Sequence, residues 1–164
     1  MAKFIDLADH LRQKRTAQYK QSGFRSITNS DHMCAILKDG VPISFGSNIY
    51  NRDNSTEHAE AQALRKLCER IGKRFNAKKI TIDIFVVRAN GGNSTPCARC
   101  IKSMEYYSQY FYIRNIYYTH PNEPLGIRSI KFSKFTQEKK HYCSFDRNID
   151  KILNDRTHFH KKNY

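Results

Sequence analysis

The chain has 164 residues, enough for one domain with a substantial core; 39% are hydrophobic, with ten Tyr, ten Phe and no Trp. A formal charge of +14 is its most unusual bulk property and directs attention to polyanions and phosphate-bearing ligands. No apolar run approaches the roughly eighteen residues a membrane span requires, and Asp6, Asp9 and several basic residues stand where a signal peptide is apolar, so a protein of the cytoplasm or nucleus with no membrane partner is expected.

The first element, from Phe4 to about Tyr19, has apolar residues at Phe4, Ile5, Leu7, Ala8 and Leu11, a helical spacing with a basic outer face. "HMCAIL" from His32 reads as a buried strand, "KDG" as a hairpin turn, and "PISFGSN" as the returning strand. Glu57 to Arg70 predicts a helix with Ala59, Ala63, Leu64 and Leu67 as its stripe and Ser55 or Thr56 as candidate caps. "KITIDIFVVRA" is rich in β-branched residues and reads as a long central strand.

After the loop "NGGNST", Pro96 is read as a first-turn proline opening a helix to about Tyr107. "IRNIYYT" and "GIRSIKFSKF" read as two more strands, and "DRNIDKILND" as a closing helix. This order implies an α/β fold: a mixed sheet of about five strands with helices on both faces, in three α/β/α layers. Only "HPNEPLG" separates the last two strands, too little for a crossover helix, so they are expected to be antiparallel. One domain over 1–164 is expected, with an N-terminal helix in 1–22, a catalytic core in 26–135, and a C-terminal helix and basic tail in 136–164.

Five cysteines are an odd number, and a close pair in an intracellular protein reads as metal-binding or redox-active before it reads as a disulfide. Cys34 and Cys68 lie in apolar-patterned segments and read as buried thiols, and Cys143 is isolated. Cys97 and Cys100, three apart at the start of a helix, can direct two sulfurs at one ion, and the helix N-terminus favours their thiolates. His58, at the start of another helix, supplies a third ligand, the number a catalytic Zn²⁺ site takes while leaving a fourth position for water. Glu60, two residues on, then lies beside the metal, within reach of water and substrate as a general acid–base. A structural zinc site needs a fourth ligand, and Cys68, Cys143, His120 and His141 stand at no usual finger spacing. A thioredoxin-like pair leaves His58 and Glu60 without a role.

His58-Ala59-Glu60 followed by Pro96-Cys97-Ala98-Arg99-Cys100 resembles the cytidine and deoxycytidylate deaminase superfamily, whose signature is His-x-Glu and Pro-Cys-x-x-Cys. The resemblance extends over roughly residues 26–132, and Gly46-Ser47-Asn48 looks like the family's Gly-x-Asn, which places an asparagine against the substrate sugar. It implies one zinc ion per chain on His58, Cys97 and Cys100, and hydrolytic deamination at C4 of cytosine or C6 of adenine with Glu60 as proton shuttle. Asn48, with Ala59 and Thr95 beside the motifs, is then a candidate substrate contact. Arg52 and Arg99 are candidate phosphate contacts, and Phe24 and Tyr50 candidate base-stacking residues.

The carrier of the base is read from three features. An antiparallel last strand pair resembles the branch with free cytidine deaminases, whereas a histidine ligand resembles the deoxycytidylate and nucleic-acid branch. The charge suits either a nucleotide phosphate or an extended strand. The leading expectation is a cytosine deaminase acting on a free nucleoside or nucleotide in pyrimidine salvage. The alternatives are an editing enzyme acting on C or A in RNA, including tRNA, or in single-stranded DNA, and a catalytically silent zinc-binding interaction protein. Homo-oligomerisation is a further implication of the resemblance, because that family often completes its pocket at subunit contacts. The Tyr-rich run "MEYYSQYFYIRNIYY" is read as core and helix face rather than as a stacking platform.

Overall fold

The computed structural model describes residues 2–21, 31–50, 56–71, 79–137 and 142. Helix α1 (Ala2–Gln21) is followed by strands β1 (His32–Lys38) and β2 (Val41–Ser47), then by a two-residue strand pair, β3 (Ile49–Tyr50) and β4 (Thr56–Glu57). Helix α2 (Ala59–Ile71), strand β5 (Ile80–Arg88), helix α3 (Ala98–Tyr107), strands β6 (Phe111–Thr119) and β7 (Ile127–Lys131) and a single helical turn, α4 (Phe132–Phe135), complete the order. The main sheet runs β2-β1-β5-β6-β7.

Asp39 and Gly40, both at positive φ (51° and 78°), close the β1–β2 hairpin. Two such residues make the two-residue turn whose twist matches the strands. β5 and β6 pair in parallel, and α3 forms the crossover between them. β7 returns antiparallel to β6, as the short link requires. At the start of that link the His120 N–H donates to the Gly126 carbonyl over 2.9 Å.

Side-chain alternation divides the core in two. On one face Cys34, Ile36, Ile82, Ile84 and Val86 meet Ala63, Leu64 and Leu67 of α2 and Ile101 and Met104 of α3. On the other, Met33, Ala35, Leu37, Phe85 and Val87 meet Ala8 and Leu11 of α1. There the Phe4 ring stacks on Tyr117 at 4.2 Å. Helices therefore cover both faces, giving the expected three layers. β5 is buried on both sides from Ile82 to Val87, which explains the unbroken apolar run from Ile84 to Val87, while the buried Asp83 is bonded to Arg114. Leu64 and Leu67 are fully buried, and each contributes about 1.5–3 kcal/mol to holding α2 on the sheet.

Several expectations need correcting. α2 begins at Ala59 rather than Glu57, because Thr56 and Glu57 pair with Tyr50 and Ile49 as β4, so Thr56 is no cap. Pro96 precedes the Cys97 cap of α3 instead of lying in its first turn. The strand expected over residues 126–135 stops at Lys131 and turns into α4. The Tyr-rich run is mixed, with Tyr118 buried but Tyr106 and Tyr112 exposed. Ser55, the closing helix of the tail, Cys143, His141, Phe24 and Arg52 lie outside the described residues. Among those described, no helix is long and apolar enough to cross a membrane.

Candidate metal centre

Both halves of the motif fold as helix caps. The His58 carbonyl accepts the N–H of Gln62 at 3.0 Å, and the Cys97 carbonyl accepts that of Ile101 at 3.0 Å. Each residue is therefore the cap of its helix, with its side chain outside the first turn and the free N–H groups behind it. Cys100 lies in the first turn of α3, and Glu60 in that of α2.

The two caps converge. His58 Nδ1 lies 3.1 Å from Cys100 Sγ and 3.4 Å from Cys97 Sγ, and the two sulfurs are 3.5 Å apart. Tetrahedral zinc with ordinary Zn–S and Zn–N bonds places two sulfurs about 3.8 Å apart and sulfur and nitrogen about 3.5 Å apart. The observed edges fall within about half an ångström of that figure, and the donor set of two thiols and an imidazole is one zinc prefers. Among the described residues no fourth His, Cys, Asp or Glu joins the cluster, which fits three ligands and an open position rather than a closed structural site. Zinc is accordingly the cofactor these residues are positioned to hold.

Titration of the site reflects its crowding. The Cys97 thiol is lowered to about 4, first by the hydrogen bond with Cys100 and then, against burial, by His58. The Cys100 thiol moves well up, through its hydrogen bond with Cys97, through burial and through the charge of Glu60. Two thiolates this close repel each other, so the pair retains one proton, and a dication removes that penalty. His58 is raised, chiefly by its hydrogen bond with Cys97.

Glu60 is 4% exposed. Its charge is felt by Cys100 and by Cys34, the fully buried thiol of β1 on the same face, which burial and then Glu60 push up. Asn48 is buried, and its side-chain Oδ1 accepts the Ala59 N–H at 3.0 Å. It thus supplies to α2 a cap that Thr56, engaged in β4, does not. Ala59 is wholly buried. Thr95 is half-buried, its hydroxyl donating to Asn93 Oδ1 at 2.6 Å. Arg99 is exposed beside the cluster and lowers the imidazole's proton affinity. The backbone of Tyr50 belongs to β3.

Two supports of the site carry roles the sequence did not show: Gly46, read there only as the start of Gly-x-Asn, and Ser94, not singled out at all. A Cβ on Gly46 would stand 2.1 Å from the Ala59 carbonyl oxygen and 2.6 Å from the Ala63 nitrogen, so only glycine lets β2 lie this close to α2. The Ser94 hydroxyl, 1% exposed, donates to the Val86 carbonyl at 2.8 Å and accepts the Thr119 N–H at 2.8 Å. It ties the segment leading to Cys97 to the ends of β5 and β6. A lone serine between two glycines and a proline carries no pattern that announces this.

Residues 9–118 match the family model described as the cytidine and deoxycytidylate deaminase zinc-binding region. No curated protein sequence matches significantly. Among solved structures, the cytidine deaminase from Burkholderia pseudomallei aligns with a TM-score of 0.52 at 18% identity, over 80% of this chain and 92% of that one. The guanine deaminase from Bacillus subtilis aligns at 0.46 with 20% identity, over 73% of this chain and 64% of that one. The cytidine deaminase from Mycobacterium leprae aligns at 0.46 with 15% identity, over 79% and 97%. The first of these likenesses concerns the fold, and the family match spans both halves of the metal cluster with the strands and helices that carry them. The chain belongs to the cytidine and deoxycytidylate deaminase zinc-binding family.

Proposed function

We propose that the protein is a hydrolytic deaminase converting cytosine to uracil in a free nucleoside or nucleotide, cytidine or deoxycytidine or their monophosphates. The observation that carries the deaminase reading is the convergence of His58, Cys97 and Cys100 beside the buried carboxylate of Glu60. Zinc, when bound, supplies a Lewis acid that brings the pKa of a water towards neutrality. Glu60 takes a proton from the attacking water as its oxygen adds to C4, and passes a proton to the amino nitrogen as the C4–N bond breaks and ammonia leaves. His58, Cys97 and Cys100 hold the ion, and the Asn48 amide orients the sugar.

The choice of a free substrate is supported by the antiparallel pairing of β6 and β7, the arrangement of the branch that contains free cytidine deaminases. The charge of +14 favours a second reading, a base carried on RNA or single-stranded DNA. A mass-spectrometric panel separates them: cytidine, deoxycytidine, their monophosphates, adenosine, single-stranded DNA and transfer RNA, each with wild type and Glu60→Ala. Turnover of a free cytosine nucleoside or nucleotide, lost in the variant, is the expected result. Turnover confined to the polymers would replace the first reading by the second, and zinc-loaded protein silent on every substrate would leave the interaction protein.

A further inference from the structure

Phe4, Leu7, Ala8 and Leu11 form the stripe of α1 that faces the sheet, and the next position on that stripe is Arg15. Its side chain is only 11% exposed, and its Nη2 meets Oδ1 of the fully buried Asp31 at 3.0 Å. The same Nη2 reaches the backbone carbonyl of Asn48 at 3.3 Å. Asn48 is held again by its own N–H, which donates to the His32 carbonyl at 3.3 Å, and by its side-chain Oδ1 on the Ala59 N–H at 3.0 Å. Three groups of one residue are thus engaged by three elements: α1, β1 and α2. Ala59 lies between His58 and Glu60.

We propose that Arg15, seated by Asp31, is a positioning residue that fixes Asn48 and, through it, the first turn of α2. A planar amide whose oxygen is committed to the Ala59 N–H has the direction of its nitrogen set as well, so the group that meets the substrate is aimed from α1. The same contact holds the His58–Glu60 segment in register with α3. A helix on the far face of the sheet, which contributes none of His58, Cys97, Cys100 and Glu60, thereby acts on the geometry of the site. The kinetic part rests on the deaminase reading; the positional part does not.

The test uses zinc-loaded protein in three forms besides wild type: Arg15→Ala, Arg15→Lys, and the double variant Arg15→Gln with Asp31→Asn. The double variant removes both charges together and leaves no uncompensated buried charge, so it is expected to keep more stability than Arg15→Ala. Amide exchange in the native state is followed at Ala59 and, as a reference in β5, at Phe85. The proposal expects exchange at Ala59 to quicken on the order of tenfold or more while Phe85 keeps its protection, as loss of hydrogen bonds to a charged group implies. KM for the cytosine substrate should rise about tenfold with a smaller change in kcat, and Arg15→Lys should restore part of both. Unchanged exchange at Ala59, or equal acceleration at Ala59 and Phe85, would overturn it, since the pair would then serve only overall stability. If no substrate in the panel is turned over, the exchange result still decides the question.

Discussion

Glu60 lies in the first turn of α2, nearly excluded from solvent, with the thiols of Cys34 and Cys100 in its field. A carboxylate in such a place is costly unless it handles protons or meets a charge, and the zinc cluster beside it offers both. Glu60→Gln keeps the volume and removes the base. It should leave one zinc per chain by metal analysis while lowering kcat by about 10²–10⁴-fold, the usual scale of general acid–base catalysis. Retained turnover would remove Glu60 from the mechanism. Ser94 acts at the same scale but on structure. Ser94→Ala leaves the buried Thr119 N–H without its 2.8 Å acceptor and should cost about 1–3 kcal/mol in denaturant unfolding.

Elements carry the site through where they begin. The motif residues, the helices that hold them, the hairpin and the antiparallel final strand were all legible, because each has a local signature in spacing, turn chemistry or link length. What escaped was set by contacts between segments distant in the chain. The start of α2 is fixed by Asn48, eleven residues upstream, and by β3–β4 pairing, so the local Ser and Thr residues point to a start two residues too early. Arg15 reads in the sequence as part of a solvated basic face, yet it continues the buried stripe of α1 and ends on Asp31. Gly46 shows the same limit: nothing next to it demands glycine, but the backbone of α2 does. Gly46→Ala should push β2 from α2 at a cost of about 3 kcal/mol or more, because the clash is with main-chain atoms that have no rotamer to yield. A circular-dichroism melt and zinc stoichiometry together would register it, and a variant as stable and as metal-loaded as wild type would contradict the close approach.

For the molecule as a whole, a zinc ion held by His58, Cys97 and Cys100 would join the ends of two helices that lie on one face of the sheet. Binding only to the folded chain stabilises it by about 4 kcal/mol when free zinc exceeds its dissociation constant a thousandfold. For a chain of this size that corresponds to about 10 °C in the melting midpoint. Calorimetry before and after a strong chelator should show a fall of that order, reversed by added zinc, and a melting point indifferent to chelation would count against a native metal site.

Whether the zinc site is open and three-liganded is read out by zinc-edge X-ray absorption of the loaded wild type. Two sulfurs at about 2.3 Å and two lighter atoms at about 2.0 Å are expected, one of them the His58 nitrogen and the other exchangeable. Three or four sulfurs around the ion would mean a different, closed site and would contradict this reading.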